Sequence, residues 1–242
     1  MPSPPIIPES VRDVFVVTCE HGGNRIPTAY ADLFHAWQAR LSSHRGYDIG
    51  ALVMARGLAA ALQAPLVAST VSRLLIDLNR SLSSRQAWSD ATRGLSPARR
   101  QSIVARHYTP YRQRVTETVE TAVANGQRVI HLSSHSFTPI LDGEIRRADV
   151  GLLYDPARPG EVQAAARWQA AFAEQAPELR VRRNYPYEGK NDGLTSAMRR
   201  RFPAGQYVGI ELELNQAFVL GQPRSWRKLR TAVVTTLQAA LC

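Results

Sequence analysis

The sequence has few of the features that assign a protein to a compartment at once. Its 242 residues include only two cysteines, Cys19 and Cys242, so no disulfide framework is predicted. No apolar run approaches the roughly 18 residues that a bilayer-spanning helix needs. The N-terminal residues have no basic region followed by an apolar one, as a secretory signal would. These absences predict a protein of the reducing cytoplasm with no membrane association.

Several common enzyme motifs are also absent. The chain has no GxSxG, no Walker loop, no GxGxxG, no HExxH and no CxxC. It has only two lysines, Lys190 and Lys228, so its net charge of +10 comes from arginines. The arginines form no long block and no stripe interleaved with aromatic residues. Nucleic-acid binding is therefore not predicted, whereas an anionic small-molecule substrate would suit the charge.

What the sequence does contain is an alternation of strand and helix patterns. Apolar runs predict strands over residues 14–19, 65–69, 128–132, 148–154, 179–183 and 206–215. Amphipathic patterns with capping signals predict helices over residues 31–41, 48–62, 97–125, 160–175, 193–201 and 225–241. Loops or irregular segments are predicted over residues 1–12, 81–95, 138–148 and 184–192, and residues 73–80 are predicted to be partly extended. The alternation predicts an α/β fold with a mostly parallel sheet covered on both faces, in a single domain over residues 1–242.

Polar residues follow three of the predicted strands where each strand ends. Glu20 and His21 follow the first strand, His135 follows the strand over residues 128–132, and Glu211 and Glu213 stand at the end of the last strand. Sites in open α/β sheets form beyond the carboxyl ends of strands. These three strand ends are therefore predicted to meet in one site.

Histidines at two of these strand ends suggest a metal. A catalytic zinc site has three protein ligands and leaves one position for water. His21 and His135 are the first two candidates, and Asp48, at the start of a predicted helix, is the choice for the third. Glu20, Asn24 and His131 are also candidates for that position. His131 lies on the same strand face as His135, but a core histidine bonded to backbone is the favoured interpretation of it.

Glu211 and Glu213 are two residues apart on a strand, so their side chains point to the same face. A buried carboxylate is costly unless it is paired or functional. Beside zinc, such a group can take a proton from water and pass it to a leaving amine. Two solvated glutamates on an edge strand are the competing interpretation, which the flanking apolar residues disfavour.

Two further segments offer groups that could bind a substrate. Arg73, Asp77, Asn79 and Arg80 form a polar cluster, in which an arginine could hold a carboxylate through two hydrogen bonds. A structural Asp77–Arg80 ion pair would explain the same residues equally well. The loop over residues 184–189 and Thr195 supply amide and hydroxyl donors that could close over a substrate, or could form a plain turn.

In their order and spacing these motifs resemble the N-formylglutamate amidohydrolase (deformylase) family. The resemblance extends over about residues 14–220. It rests on His21-Gly22-Gly23 with Ile26-Pro27, Asp48-Ile49-Gly50, Arg73 with Asp77-Leu78-Asn79-Arg80, Ser134-His135-Ser136, Gly151 to Asp155, Asn184-Tyr185-Pro186-Tyr187 with Gly189 and Thr195, and Glu213-Leu214-Asn215-Gln216. The family is similar in fold to zinc carboxypeptidases and aspartoacylases. This implies a three-layer α/β/α, phosphorylase/hydrolase-like architecture with a mixed, mostly parallel sheet.

The sequence departs from its relatives at two positions. Carboxypeptidases take two metal ligands from an HxxE pair, but His21 is followed at that spacing by Asn24, which is why Asp48 is chosen. Deformylases often have arginine after Glu-x-Asn, where this chain has Gln216, so the specificity for the acyl amino acid stays open. The Asn215-Gln216 pair favours Glu213 over Glu211 as the catalytic glutamate.

The resemblance implies a zinc-dependent hydrolase of a linear amide, acting on a small N-formyl or N-acyl amino acid such as N-formylglutamate. Zn²⁺ would be held by His21, Asp48 and His135, and catalysis would use Glu213, with Glu211 as the second candidate, and Arg73. The residues expected to bind substrate are Arg80, Asn79, Asn184, Tyr187 and Thr195. A monomer or small homo-oligomer is expected. Two competing hypotheses are an amidohydrolase of this fold that acts on a peptide or modified amino acid in a biosynthetic pathway, and a non-catalytic anion-binding module.

Overall fold

The computed structural model describes residues 12–242, so the irregular segment predicted for residues 1–12 lies almost wholly outside the described residues. Eight strands are found in the described part: β1 (Asp13–Cys19), β2 (Leu66–Ala68), β3 (Arg128–Phe137), β4 (Ile140–Leu141), β5 (Glu144–Ile145), β6 (Val150–Leu153), β7 (Val181–Arg183) and β8 (Tyr207–Asn215).

Six of these strands form one sheet in the order β2-β1-β3-β8-β6-β7. The first four strands run parallel, β6 is antiparallel to β8, and β7 is parallel to β6. The sheet is therefore mixed and mostly parallel, as the sequence predicts. β4 and β5 form a separate small hairpin within residues 138–148, which were predicted as a plain loop.

Helices cover both faces of the sheet. They are α1 (Gln38–Leu41), α2 (Ala51–Ala61), α3 (Pro97–Ile103), α4 (Thr109–Ala124), α5 (Pro159–Gln175), α6 (Leu194–Arg201), α7 (Ala217–Leu220) and α8 (Pro223–Leu241). Buried residues of α2, α5 and α8 pack on one face, and those of α3, α4 and α6 pack on the other. This is the predicted three-layer α/β/α arrangement. None of the described helices is both long and apolar enough to cross a membrane.

The three central strands β1, β3 and β8 each have two unlike faces. On the side of α2, α5 and α8, their side chains are apolar along most of the strand, as with Ile210, Leu212 and Leu214. On the opposite side they become polar toward the carboxyl end, as with Glu211 and Glu213. The alternation of side chains along a strand thus gives a dry core on one face and a polar site on the other.

Some local predictions differ from the structure. Residues 73–80 form turns rather than an extended segment, and residues Thr28–Trp37 form a 3₁₀ helix before the short α1. The long helix predicted over residues 97–125 contains a π-helical turn at Val104–Tyr108, between α3 and α4. α2 begins later than predicted, after Gly50, whose φ of 87° is a conformation that favours glycine.

Candidate active site

The carboxyl ends of β1, β3 and β8 meet at a partly enclosed pocket with a volume of about 160 Å³. Neighbouring strands place the polar groups in register, because His135 of β3 pairs with Glu213 of β8 and Ser133 pairs with Glu211. The pocket is lined by His21, Asp48, Arg73, Asn79, Arg80, His135, Ser136, Leu153, Tyr187, Glu188, Asn191, Asp192, Glu211 and Glu213.

His21, Asp48 and His135 form a buried cluster whose potential ligand atoms all lie within 4.8 Å of one another. Asp48 Oδ2 is 3.3 Å from His21 Nδ1 and 2.8 Å from His135 Nδ1. The short loop before α2 brings Asp48 here, and its amide donates to the carbonyl of His21 at 2.9 Å. Two imidazole nitrogens and one carboxylate oxygen that converge in this way are a donor set that suits a catalytic zinc ion.

Each histidine has a second carboxylate on the far side of its ring. His21 Nε2 lies 2.7 Å from Asp77 Oδ1, and His135 Nε2 lies 2.9 Å from Glu20 Oε2. A histidine that binds a metal through one nitrogen almost always donates its other N–H to such a partner. The two supporting carboxylates therefore hold both rings so that Nδ1 points into the cluster, and these residues fit a metal ion.

Charges inside the cluster are strongly coupled. Burial raises the pKa of Asp48, but His21, His135 and Arg73 outweigh it and hold that pKa well below its usual value. Burial lowers the pKa of His135, but the bonds to Asp48 and Glu20 raise it well above the usual value. A divalent cation bound by His21, Asp48 and His135 would satisfy the same nitrogen and oxygen atoms.

The carboxylate of Glu20 is completely buried. It accepts hydrogen bonds from two neutral hydroxyl groups and also lies against His135. Tyr111 donates to Oε1 at 2.7 Å, and Ser133 donates to Oε2 at 2.6 Å. Burial opposes the charge of Glu20, but the bonds from His135, Ser133 and Thr18 keep its pKa far below the usual value. Glu20 was one of the candidates for the third metal ligand. The structure instead places its carboxylate behind His135, outside the His21–Asp48–His135 cluster.

Glu213 is the pocket carboxylate with an oxygen that is both buried and unbonded within the described residues. It is 5% exposed, and its Oε2 atom is buried without a hydrogen-bond partner among the described residues. Burial, opposed by His135 and reinforced by Asp48 and Glu211, raises the pKa of Glu213 to about 8. Glu211 differs, because its Oε1 accepts a 2.5 Å hydrogen bond from Thr195. The free oxygen makes Glu213 the better candidate for proton transfer.

Arg73 joins the carboxylates of the site. Its Nη1 donates to Asp48 Oδ1 at 3.2 Å, and its Nε and Nη2 donate to Asp77 Oδ2 at 3.2 and 2.7 Å. Asp77 is thus paired with Arg73 and His21, and the Asp77–Arg80 ion pair considered from the sequence is not formed. Arg80 instead donates through Nη1 to the carbonyl of Asp192 at 2.6 Å.

Two residues predicted to bind substrate lie outside the lining of the pocket. The Oδ1 atom of Asn184 accepts hydrogen bonds from the amides of Tyr154 and Gly189, so this side chain shapes its own loop. Thr195 is completely buried behind Glu211. Asn79 and Tyr187 do line the pocket, although Asn79 Oδ1 also accepts from the amide of Leu194 at 2.7 Å.

The sequence also offers Asn24 and His131 as metal ligands. Unlike Asp48, neither residue belongs to the cluster with His21 and His135. Asn24 is exposed. His131 is completely buried and bonded to the hydroxyls of Thr18 and Tyr207 at 2.8 and 2.6 Å, rather than to backbone as expected. Burial lowers the pKa of His131 to about 4, which keeps the ring neutral.

Several contributors to the site were not found by sequence reasoning. Ser133 could have been inferred, because it shares a strand face with His135. Tyr111 comes from α4, and nothing in its local sequence connects it to Glu20. Glu188, Asn191 and Asp192 lie in the polar loop before α6, where the pattern showed a loop but not which side chains point inward.

The fold and the pocket together define an α/β/α protein with a buried histidine–carboxylate centre at the carboxyl edge of a mostly parallel sheet. Comparison with known proteins specifies the class further. Residues 14–220 match the family model of N-formylglutamate amidohydrolases. The chain therefore belongs to the N-formylglutamate amidohydrolase family, and this membership indicates an amidohydrolase that acts on a small-molecule amide.

Solved structures agree with this assignment. A gene product of Agrobacterium tumefaciens is 29% identical with a TM-score of 0.81, covering 94% of this chain and 90% of that one. An N-formylglutamate amidohydrolase from Ralstonia eutropha is 21% identical with a TM-score of 0.70, over 96% and 94% of the two chains, which shows a shared fold. A search of proteins of curated function finds no match in sequence.

Proposed function

We propose that the protein is a zinc-dependent amidohydrolase that removes a formyl or other acyl group from the nitrogen of an amino acid, with N-formylglutamate as the type substrate. The observation that carries the proposal is the position of Glu213. Its unbonded Oε2 is buried beside the His21–Asp48–His135 cluster, in a chain of the amidohydrolase family.

The residues that would hold zinc are His21, Asp48 and His135. When bound there, zinc lowers the pKa of water toward about 7 and polarises the amide carbonyl. Asp77 and Glu20 keep the two imidazoles in the tautomers that leave Nδ1 free for the metal. Arg73 fixes Asp48 through its second oxygen.

Glu213 moves the proton in the proposed reaction. Its Oε2 accepts a proton from the attacking water and returns it to the amide nitrogen as the carbon–nitrogen bond breaks, so that water and the amide give formate and the free amine. Burial raises the pKa of Glu213 to about 8, so without a nearby cation this carboxyl would be mostly protonated at neutral pH. A divalent cation nearby would lower that pKa from its present value.

Arg80 and Arg73 are the proposed partners for the carboxylates of the substrate. Arg73 uses three of its N–H groups on Asp48 and Asp77, and its side chain is 28% exposed on the pocket side. Arg80 makes one hydrogen bond through Nη1, to a backbone carbonyl, so most of its guanidinium can bind an anion. Tyr187 is 44% exposed at the entrance.

The proposal is tested by measuring the metal content of protein purified without added metal, together with formate or amine release from a panel of N-formyl and N-acyl amino acids. We expect about one zinc per chain and turnover that chelators abolish. His135→Ala should lose both zinc and turnover, whereas His35→Ala, at an exposed histidine, should keep both. Full turnover by a metal-free protein, or by His135→Ala, would refute the proposal. Zinc without turnover on the whole panel would direct the search to other amides.

A further inference from the structure

A second cavity adjoins the catalytic pocket and is larger than it. This groove has a volume of about 470 Å³, and Arg73, Arg80 and Tyr187 line both cavities. Ligand sites generally have roughly 300–1,000 Å³. The pocket alone lies below that range and the groove falls within it, so the two together accommodate a molecule longer than a single acylated amino acid.

The groove carries an excess of positive charge. Five arginines line it against three aspartates. Asp77 is already bonded to His21 and Arg73, and Asp90 is shared by two arginines, at 3.8 Å from Arg40 and 3.2 Å from Arg93. The third aspartate is Asp142, and three acids against five arginines leave the groove with an excess of positive charge, which favours an anionic occupant.

Besides Arg80, Arg45 is an arginine of the groove that is available to a ligand. It is exposed, and it has no ion-pair partner within residues 12–242. Its charge acts inside the groove, because burial and then Arg45, Arg146 and Arg73 lower the pKa of the neighbouring His44, against an opposing effect of Asp142. Three arginines thus converge on one place, where Asp142 is the acid that faces them.

Aromatic side chains complete the groove. Trp37 is covered by the guanidinium of Arg40, which lies 4.7 Å from the ring centroid. Tyr187 is fixed at the junction of the two cavities, because Arg146 lies 5.0 Å from its ring centroid and donates to its hydroxyl at 3.0 Å. An arginine stacked on an aromatic ring is held in place while keeping N–H groups free for a carboxylate.

The groove leaves the pocket on the side of Arg73 and Arg80, whereas His135 and Glu213 line only the pocket. If the two arginines hold the amino-acid half of the substrate, as in the proposed function on which this inference rests, the groove lies beyond that half. We propose that the groove binds an acidic side chain in an extension of the substrate, so that the preferred substrate is an N-acylated acidic dipeptide or short acidic peptide rather than a free N-acyl amino acid.

Three substrates test this inference: N-formyl-Glu, N-formyl-Glu-Glu and the equally long N-formyl-Glu-Gln. We expect kcat/KM for N-formyl-Glu-Glu to exceed that for N-formyl-Glu-Gln about tenfold, mostly through KM, since a charge-assisted hydrogen bond is roughly twice as strong as a neutral one. Arg45→Gln should reduce this preference to less than about threefold. Arg114→Gln, at an exposed arginine of α4 outside both cavities, should leave the preference as it is.

The outcomes separate the two proposals. A kcat/KM for N-formyl-Glu equal to or above that for N-formyl-Glu-Glu, equal values for the two dipeptides, or a preference that Arg45→Gln does not change would overturn the groove assignment and leave the proposed function standing. If no substrate is hydrolysed, the proposed function fails, and calorimetric titration with Glu-Glu and Glu-Gln tests the groove directly. A Kd about tenfold lower for Glu-Glu that depends on Arg45 supports it, and equal affinities or no binding overturn it.

Discussion

Replacing Glu20 with glutamine should weaken zinc binding about 10- to 100-fold without unfolding the protein. The change keeps the size and shape of the side chain and removes only its charge and one acceptor oxygen. Glu20 is not a ligand in the proposed centre. Its Oε2 lies 2.9 Å from His135 Nε2 and holds the ring that presents Nδ1 to Asp48. The variant therefore measures the effect of orienting a metal ligand without removing any residue that binds the metal.

The magnitude follows from the contacts of Glu20. Tyr111 can still donate to the oxygen of the glutamine amide, so the hydrogen bond at the position of Oε1 is kept. At the site of Oε2 an amide N–H₂ would face Nε2 of His135, and a donor would meet a donor. The lost hydrogen bond to a charged group contributes about 1.5–3 kcal/mol, and about 1.4 kcal/mol corresponds to tenfold in affinity. The affinity for zinc should therefore fall by a factor of about 10 to 100.

The assay is competition between the protein and a chromophoric zinc chelator, with circular dichroism as a check of folding. Glu161→Gln is the matched control, because Glu161 is equally buried and its carboxylate binds Arg199 away from the zinc ligands. We expect that control to lower stability and to leave zinc affinity unchanged. A folded Glu20→Gln protein that binds zinc within about twofold of the wild type would show that Glu20 does not support His135 as argued.

Three further results are expected. Glu213→Gln should reduce turnover about 10²- to 10⁴-fold while zinc content stays at the wild-type level. Gly151→Ala should lower the free energy of unfolding by about 1–3 kcal/mol, because a Cβ there would lie 2.0 Å from the carbonyl oxygen of Tyr185. The contribution of His131 to stability should be lost as the pH drops from about 6.5 toward 4, since the unfolded chain protonates His131 below about 6.5 whereas the folded protein resists protonation until about 4. The contribution of this histidine is on the order of 3 kcal/mol over that window.

Each of these results can be contradicted by a measurement on the same chain. For Glu213→Gln, unchanged turnover with zinc present would remove this residue from the reaction. For Gly151→Ala, the control is Gly94→Ala, where an added Cβ meets nothing within 4 Å. For the pH dependence, urea unfolding of His131→Gln between pH 4 and 7 should give a flatter stability profile than the wild type. Parallel profiles would contradict the account of His131.

The sheet and its flanking helices were predictable because each element has a local signal. The apolar runs that became β1, β3 and β8 are the residues that any packing of this chain must bury. The turns at residues 73–80 were missed because Leu74, Leu75, Ile76 and Leu78 resemble a strand in composition. Leu75, Ile76 and Leu78 are buried there in the second core cluster without joining the sheet. Burial, and not strand pairing, explains their apolar character.

The site was predictable to the extent that its groups lie at strand ends. His21, His135 and Glu213 follow from that rule, whereas the meeting of Asp48 with both histidines depends on the path of the loop before α2, which has no periodic signal. Asn184 looked like a substrate ligand because polar loop residues often are. Its side chain is instead used to satisfy backbone amides, a role common for asparagine in turns.

The π-helical turn at Val104–Tyr108 has a consequence for how this chain tolerates insertions and deletions. At the end of the turn Tyr108 donates to the carbonyl of Arg80 at 2.8 Å, and just beyond it Tyr111 donates to Glu20 at 2.7 Å. Removing one residue from the turn would restore a regular α-helix, but each residue of an α-helix adds about 100° of rotation. Both tyrosines would then point away from their partners. The number of residues in this helix therefore determines whether Tyr108 and Tyr111 reach Arg80 and Glu20, which lie beside the histidines of the site.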